Sequence, residues 1–131
     1  MKKIVLLMAL LLCWALPALA LTLTLGDAAI TSGVSERAPI DRIEVYRTSS
    51  DGAAGRLYCF TRIDGAATDT SVAHVWYYGT REMARVELPV RSSRWRTYSS
   101  KKILAQWVGD WRVQVVAADG SLLGELAFRV E

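Results

Sequence analysis

Apolar and polar residues alternate with period two over most of the chain beyond its N-terminal segment. In Trp111-Arg112-Val113-Gln114-Val115 every second residue is apolar. In Leu122 to Val130, Leu126, Phe128 and Val130 share one side while Glu125, Ala127 and Arg129 take the other. This is the repeat of a half-buried strand. The same test predicts strands near 22–25, 28–35, 42–47, 56–63, 71–78, 83–90, 93–98, 110–117 and 122–130. Turn residues separate them at Gly26-Asp27, Gly52 to Gly55, Asp64-Gly65, Gly79-Thr80 and Asp119-Gly120. Asp119-Gly120 tolerates positive φ at both positions, which predicts a type I′ hairpin. Pro89 lacks a ladder donor and suits an edge strand or a bulge. Ser99-Ser100 ahead of two lysines would cap a short helical turn within 101–108, the one helix candidate.

Segment 71–78 decides the fold class. Val72, His74, Trp76 and Tyr78 share one face, and Ala73, Val75 and Tyr77 the other, so a strand apolar on both faces belongs inside a sheet. A tryptophan in mid-strand after an earlier strand bearing Cys59 is the immunoglobulin arrangement, with Val113 or Val115 near the place of the second cysteine. The expected architecture is an all-β, immunoglobulin-like β-sandwich lacking the inter-sheet disulfide. A small β-barrel is the alternative.

The N-terminus changes the charge and cysteine counts. Lys2 and Lys3 precede an unbroken apolar run from Ile4 to Leu16, then Pro17 and Ala18-Leu19-Ala20. This is the pattern of a secretory signal peptide over residues 1–20, leaving one domain at 21–131; an uncleaved anchor is the other reading. The 131 residues carry 16 Lys+Arg and 13 Asp+Glu; without Lys2 and Lys3 the balance falls from +3 to +1. Overall charge therefore gives no reason to expect a nucleic-acid partner. Cys13 leaves with the leader, so Cys59 has no partner for an internal disulfide. A periplasmic or secreted location in a bacterial envelope follows as an expectation, with no transmembrane segment after cleavage.

Candidate chemistry is sparse. Cys59 lies within Leu57-Tyr58-Cys59-Phe60-Thr61 and reads as a buried small hydrophobe rather than a nucleophile. His74 is the one histidine and cannot build a metal site alone. Ser99 and Ser100 lack a G-x-S-x-G elbow, and the acids sit mainly at turns, so neither hydrolase chemistry nor a cofactor is expected. The expected protein is not an enzyme.

The strongest local signal is charge. Between Leu88 and Gly109 lie Arg91, Arg94, Arg96, Lys101 and Lys102 with no acid, interleaved with Trp95, Tyr98 and Trp107. Arg94, Arg96 and Tyr98 would share one strand face, with Trp95 and Thr97 on the other. Guanidinium groups make forked bonds to carboxylate and phosphate and stack on aromatic rings. The candidate binding residues are Arg94, Arg96, Tyr98 and Lys101, with His74 as an anchoring hydrogen-bond group. They suit an anionic glycan, a lipid headgroup or an envelope protein. The bland reading is an edge strand kept soluble by its charges.

Three motifs, His74-Val75-Trp76, Trp95-Arg96-Thr97-Tyr98-Ser99-Ser100-Lys101 and Gly109-Asp110-Trp111-Arg112-Val113, together with Phe60-Thr61, run through the chain. As a set, from about Ile30 to Val130, they resemble a bacterial domain family of unknown function whose members follow signal peptides or are attached to membrane proteins. The resemblance implies an extracytoplasmic all-β accessory domain and no ligand or catalytic residue. Two functions follow: a non-catalytic envelope binding module acting through 91–102, or a protein–protein assembly domain using a strand edge or apolar patch.

Overall fold

The computed structural model describes residues 22–131, so the signal-peptide reading of 1–20, Cys13 included, lies outside the described residues. Ten strands follow one another: β1 (Thr24–Thr31), β2 (Val34–Ser35), β3 (Ala38–Pro39), β4 (Val45–Tyr46), β5 (Gly55–Asp64), β6 (Thr70–Tyr78), β7 (Arg81–Val90), β8 (Arg94–Ile103), β9 (Gly109–Ala117) and β10 (Leu122–Val130). The smaller sheet has the order β1-β5-β8 and the larger β4-β10-β9-β6-β7; β2 and β3 form a hairpin of their own. Pairing is antiparallel except where the short β4 runs parallel to β10. Both sheets are open, so the fold is an immunoglobulin-like sandwich and not the alternative barrel. Among the described residues there is no helix, and hence none long and apolar enough to cross a membrane.

Two apolar clusters fill the space between the sheets. Ile30, Leu57, Cys59 and Ile103 from the smaller sheet meet Trp76, Trp111, Val113, Phe128 and Val130 from the larger. Ile63, Ala66, Val72, Val90 and Val115 form the second cluster, with Trp95 packed against it. Cys59, Trp76 and Val113 thus occupy one cluster, as the immunoglobulin comparison requires, with packing in place of the disulfide. The Trp111 ring stacks on Tyr78 and Phe128 at centroid distances of 5.1 and 5.9 Å. Its Nε1 donates to the Trp107 carbonyl at 3.0 Å. β6 lies between β9 and β7 and is buried on both faces, with Val75 and Trp76 each fully inaccessible. Pro89 falls on the edge strand β7.

Four local expectations need correction. Segments 22–25 and 28–35 merge into one strand, β1, over Thr24–Thr31, whose register slips between Leu25 and Asp27, while Val34–Ser35 split off as β2. Gly26 sits in that bulge because a side chain there would collide with Arg62 and Asp64. Of 42–47 only Val45–Tyr46 pairs, held by Arg129 N to Glu44 O and Glu131 N to Tyr46 O, both 2.9 Å. The helical turn in 101–108 is absent. Lys101 to Ile103 continue β8, opposite Leu57 to Gly55, and ladder bonds together with burial of Ile103 override the capping signal of the two serines. The Asp119-Gly120 turn is not type I′. Gly120 has φ 89° while Asp119 keeps a negative φ. Gly120 N bonds Ala117 O at 2.9 Å and Ala117 N bonds Ser121 O at 2.8 Å, a three-residue loop closed by a left-handed glycine.

Candidate functional site

β8 alternates as its sequence predicts. Arg94, Arg96, Tyr98 and Lys102 are exposed on the outer face of the smaller sheet, whereas Trp95 and Thr97 are half-buried and Ser99 and Ile103 buried on the inner face. Directly opposed residues of an antiparallel pair share a face. Arg94 therefore stands opposite Asp64, Arg96 opposite Arg62, and Tyr98 opposite Phe60. Arg62 forks onto Asp64, Nε to Oδ1 and Nη2 to Oδ2 both at 3.1 Å. That carboxylate is consumed by Arg62, and Arg94 and Arg96 have no ion-pair partner among the described residues. Two like charges face each other at Arg62 and Arg96, an arrangement that costs stability. Tyr98 packs edge-on against Tyr58 at 6.0 Å, leaving half of its surface open.

Lys101 and His74 lie elsewhere. By alternation Lys101 belongs to the inner side of β8, where its Nζ sits 4.9 Å from the Trp107 ring centroid. Desolvation there lowers its pKa, and the neighbouring charges of Arg56 and Lys102 lower it further. It does not join Arg94 and Arg96 on the outer face.

His74 is fully buried. Its Nδ1 is 2.7 Å from Ser99 Oγ and its Nε2 3.0 Å from Thr61 Oγ1; Trp76 Nε1 donates to the same Ser99 Oγ at 3.1 Å. Burial lowers the imidazole pKa to about 4, so the ring is neutral near pH 7. A serine beside a histidine is the beginning of a nucleophile–base pair. Here both side chains are sealed in the core, and the bonds tie β6 of one sheet to β5 and β8 of the other. Cys59 is likewise buried, and desolvation raises its thiol pKa.

The structure adds a residue that sequence patterning did not single out, Arg37. Together with Ser92, Arg94, Trp95 and Arg96 it lines a groove of about 380 Å³. Arg37 sits in the β2–β3 turn, where Glu36 and Arg37 have φ of 52° and 61°. The turn sequence lacks the Asn-Gly or Asp-Gly signature that marks such a conformation, so nothing in the chain announced it. The groove's Trp95 is half-buried, packed against the second core cluster with part of its surface on the groove wall.

Fold and surface together define a small all-β module with a basic, aromatic-bearing sheet face. A family model described as "Protein of unknown function (DUF2914)" matches residues 69–130, so a DUF2914 domain is found there. The match runs from β6 through β10 and begins well after Ile30, leaving β1 to β5 and Phe60-Thr61 outside it. No curated protein matches the chain.

Proposed function

We propose that this protein is a non-catalytic, extracytoplasmic accessory domain of the bacterial envelope that binds an anionic component through the outer face of β8. The observation that carries this reading is the pair Arg94 and Arg96, exposed and without ion-pair partners among the described residues, with Arg96 opposed to another arginine, Arg62. A strand that needed only solubility would be served by mixed charges. Tyr98 supplies an exposed ring beside them for stacking. The non-catalytic part is supported by the burial of Ser99, His74 and Cys59, the residues whose chemistry would otherwise serve a nucleophilic mechanism. The extracytoplasmic part rests on the leader pattern of residues 1–20. The test is binding of residues 21–131 to polygalacturonate and to neutral dextran at rising ionic strength. Exposed charge contacts are screened beyond ~8 Å at physiological salt, so affinity for the anionic polymer falls steeply with salt. Equal retention by both polymers counts against the proposal.

A second reading has one observation of its own. β7 and β8 each lie at one edge of their sheet and are ten residues long, so their outer edges offer backbone groups to a partner strand. Pro89 and the basic side chains of β8 guard those edges against pairing. A defined dimer or a stoichiometric protein partner in solution would favour assembly over anion binding.

A further inference from the structure

We infer that the β2–β3 hairpin and β8 form a two-part cleft for an anionic sugar unit, with Arg37 closing on its carboxylate or phosphate group. This deepens the anion-binding reading above and depends on it.

Two adjoining grooves share Arg37 and Arg96 as common wall. The first, about 380 Å³, is lined by Arg94 as well. The second, about 250 Å³, is lined by Val34, Phe60, Thr97 and Tyr98. The volumes are of the order of small-ligand sites, ~300–1,000 Å³. The first groove gathers three guanidinium groups, none ion-paired among the described residues. Such a set suits an oxyanion that accepts several forked bonds at once. The second offers an exposed tyrosine ring and apolar carbon, the surface a pyranose ring can cover while keeping its hydroxyls wet.

The hairpin is built to hold Arg37 there. Two consecutive non-glycine residues in the left-handed region are costly and persist only where the surroundings impose them. Asp41, just after the hairpin, ties its base to the end of β1. Its Oδ1 accepts from Thr31 Oγ1 at 2.7 Å and from Ser32 N at 2.8 Å, and its Oδ2 accepts from Ser32 Oγ. Ile40 N to Gly33 O at 3.0 Å and Ile43 N to Ile30 O at 2.8 Å fasten the hairpin base to the end of β1. The guanidinium of Arg37 is thus carried on a short, clamped arm above β8. A lipid surface fits less well: of the exposed apolar residues, Val45, Val108 and Leu122 belong to the larger sheet or its loops, Ile40 follows β3 at the hairpin base but lines neither groove, and Tyr98 alone lines the cleft.

The experiment measures binding of residues 21–131 to tetragalacturonate, glucose 1-phosphate, neutral maltotetraose and vesicles of 30% phosphatidylglycerol. Wild type binds one or both anionic sugars and not maltotetraose; which one distinguishes carboxylate from phosphate. Arg37→Ala weakens that binding about tenfold or more. Asp41→Ala, which frees the hairpin base without touching ligand, weakens it less while thermal melting stays cooperative. Arg91→Ala, outside the cleft, changes it by less than about twofold. If Arg37→Ala binds like wild type while the Arg94→Ala/Arg96→Ala variant loses affinity, the cleft is overturned and the β8 surface stands. Binding to vesicles but to neither sugar also overturns it. No binding to any anionic probe overturns both readings.

Discussion

His74 Nδ1 lies 2.7 Å from Ser99 Oγ, and this bond joins β6 of the larger sheet to β8 of the smaller through the core. With Trp76 Nε1 on the same oxygen, residues of two separate sequence motifs prove to be one hydrogen-bonded unit. A buried imidazole with both nitrogens bonded, and a tryptophan N–H with an acceptor, leave no polar group to penalise burial.

The first prediction concerns acid. His74 has its pKa depressed to about 4 in the fold, against ~6.5 when unfolded. Its contribution is fully present above the unfolded value and is lost as pH falls from there towards about 4. Between pH 7 and pH 5 urea denaturation should show a loss of about 2 kcal/mol. The carboxylates of Asp27, Asp41, Asp51 and Asp119, all held below their ordinary value by hydrogen bonds, add to the loss only at lower pH. His74→Gln should flatten the slope between pH 7 and pH 5; an unchanged slope in that variant would assign the effect to other groups.

Core truncation is the second. Trp76 and Trp111 are essentially inaccessible and stand in one cluster. Trp76→Ala and Trp111→Ala should each cost ~3–5 kcal/mol, enough to unfold a domain of ordinary stability. Trp76→Phe, which keeps most of the ring but removes the bond to Ser99, should cost less. Wild-type melting of either alanine variant would refute the packing described for the core.

Cys59 should be silent. A fully buried thiol with a raised pKa has neither access nor thiolate character. Folded residues 21–131, which carry Cys59 as their one cysteine, should leave a thiol-specific chromogenic reagent unreacted, release one equivalent in denaturant, and run as monomer on a non-reducing gel. Prompt reaction of the native protein or a disulfide-linked dimer would contradict this.

The Arg62–Asp64 fork gives a prediction of opposite sign to the usual loss on mutation. Asp64→Asn removes the charge that neutralises Arg62, which stands opposite Arg96. Affinity for an anionic polymer should rise roughly two- to fivefold, the scale of one exposed charge contact of ~0.4–1 kcal/mol. A fall would mean that Asp64 itself positions the ligand.

The residues differ in how openly they declare their places. The alternation in Trp111 to Val115 and Leu126 to Val130 reads directly because one face of each strand is core. The outer positions of Arg94, Arg96 and Tyr98 follow from the same rule. Lys101 misleads because a long apolar stem lets a charged residue lie on the inner side of β8, along Trp107, with its ammonium still reaching the rim. Ser99 and Ser100 resemble a helix cap locally, yet a distant pairing partner, Cys59 and Tyr58 of β5, decides their conformation. Arg37 is illegible as well. Its left-handed backbone lies in a two-residue turn, Glu36-Arg37, that carries no Asn-Gly or Asp-Gly signal.

The most direct measurement is calorimetric titration of polygalacturonate into wild type and into Arg94→Ala/Arg96→Ala at two salt concentrations. Both side chains are exposed and have no ion-pair partner among the described residues, so the double variant should melt as wild type does while its affinity falls about tenfold or more and loses most of its salt dependence. Equal affinity and equal salt dependence in the two proteins would contradict a binding role for this face of β8.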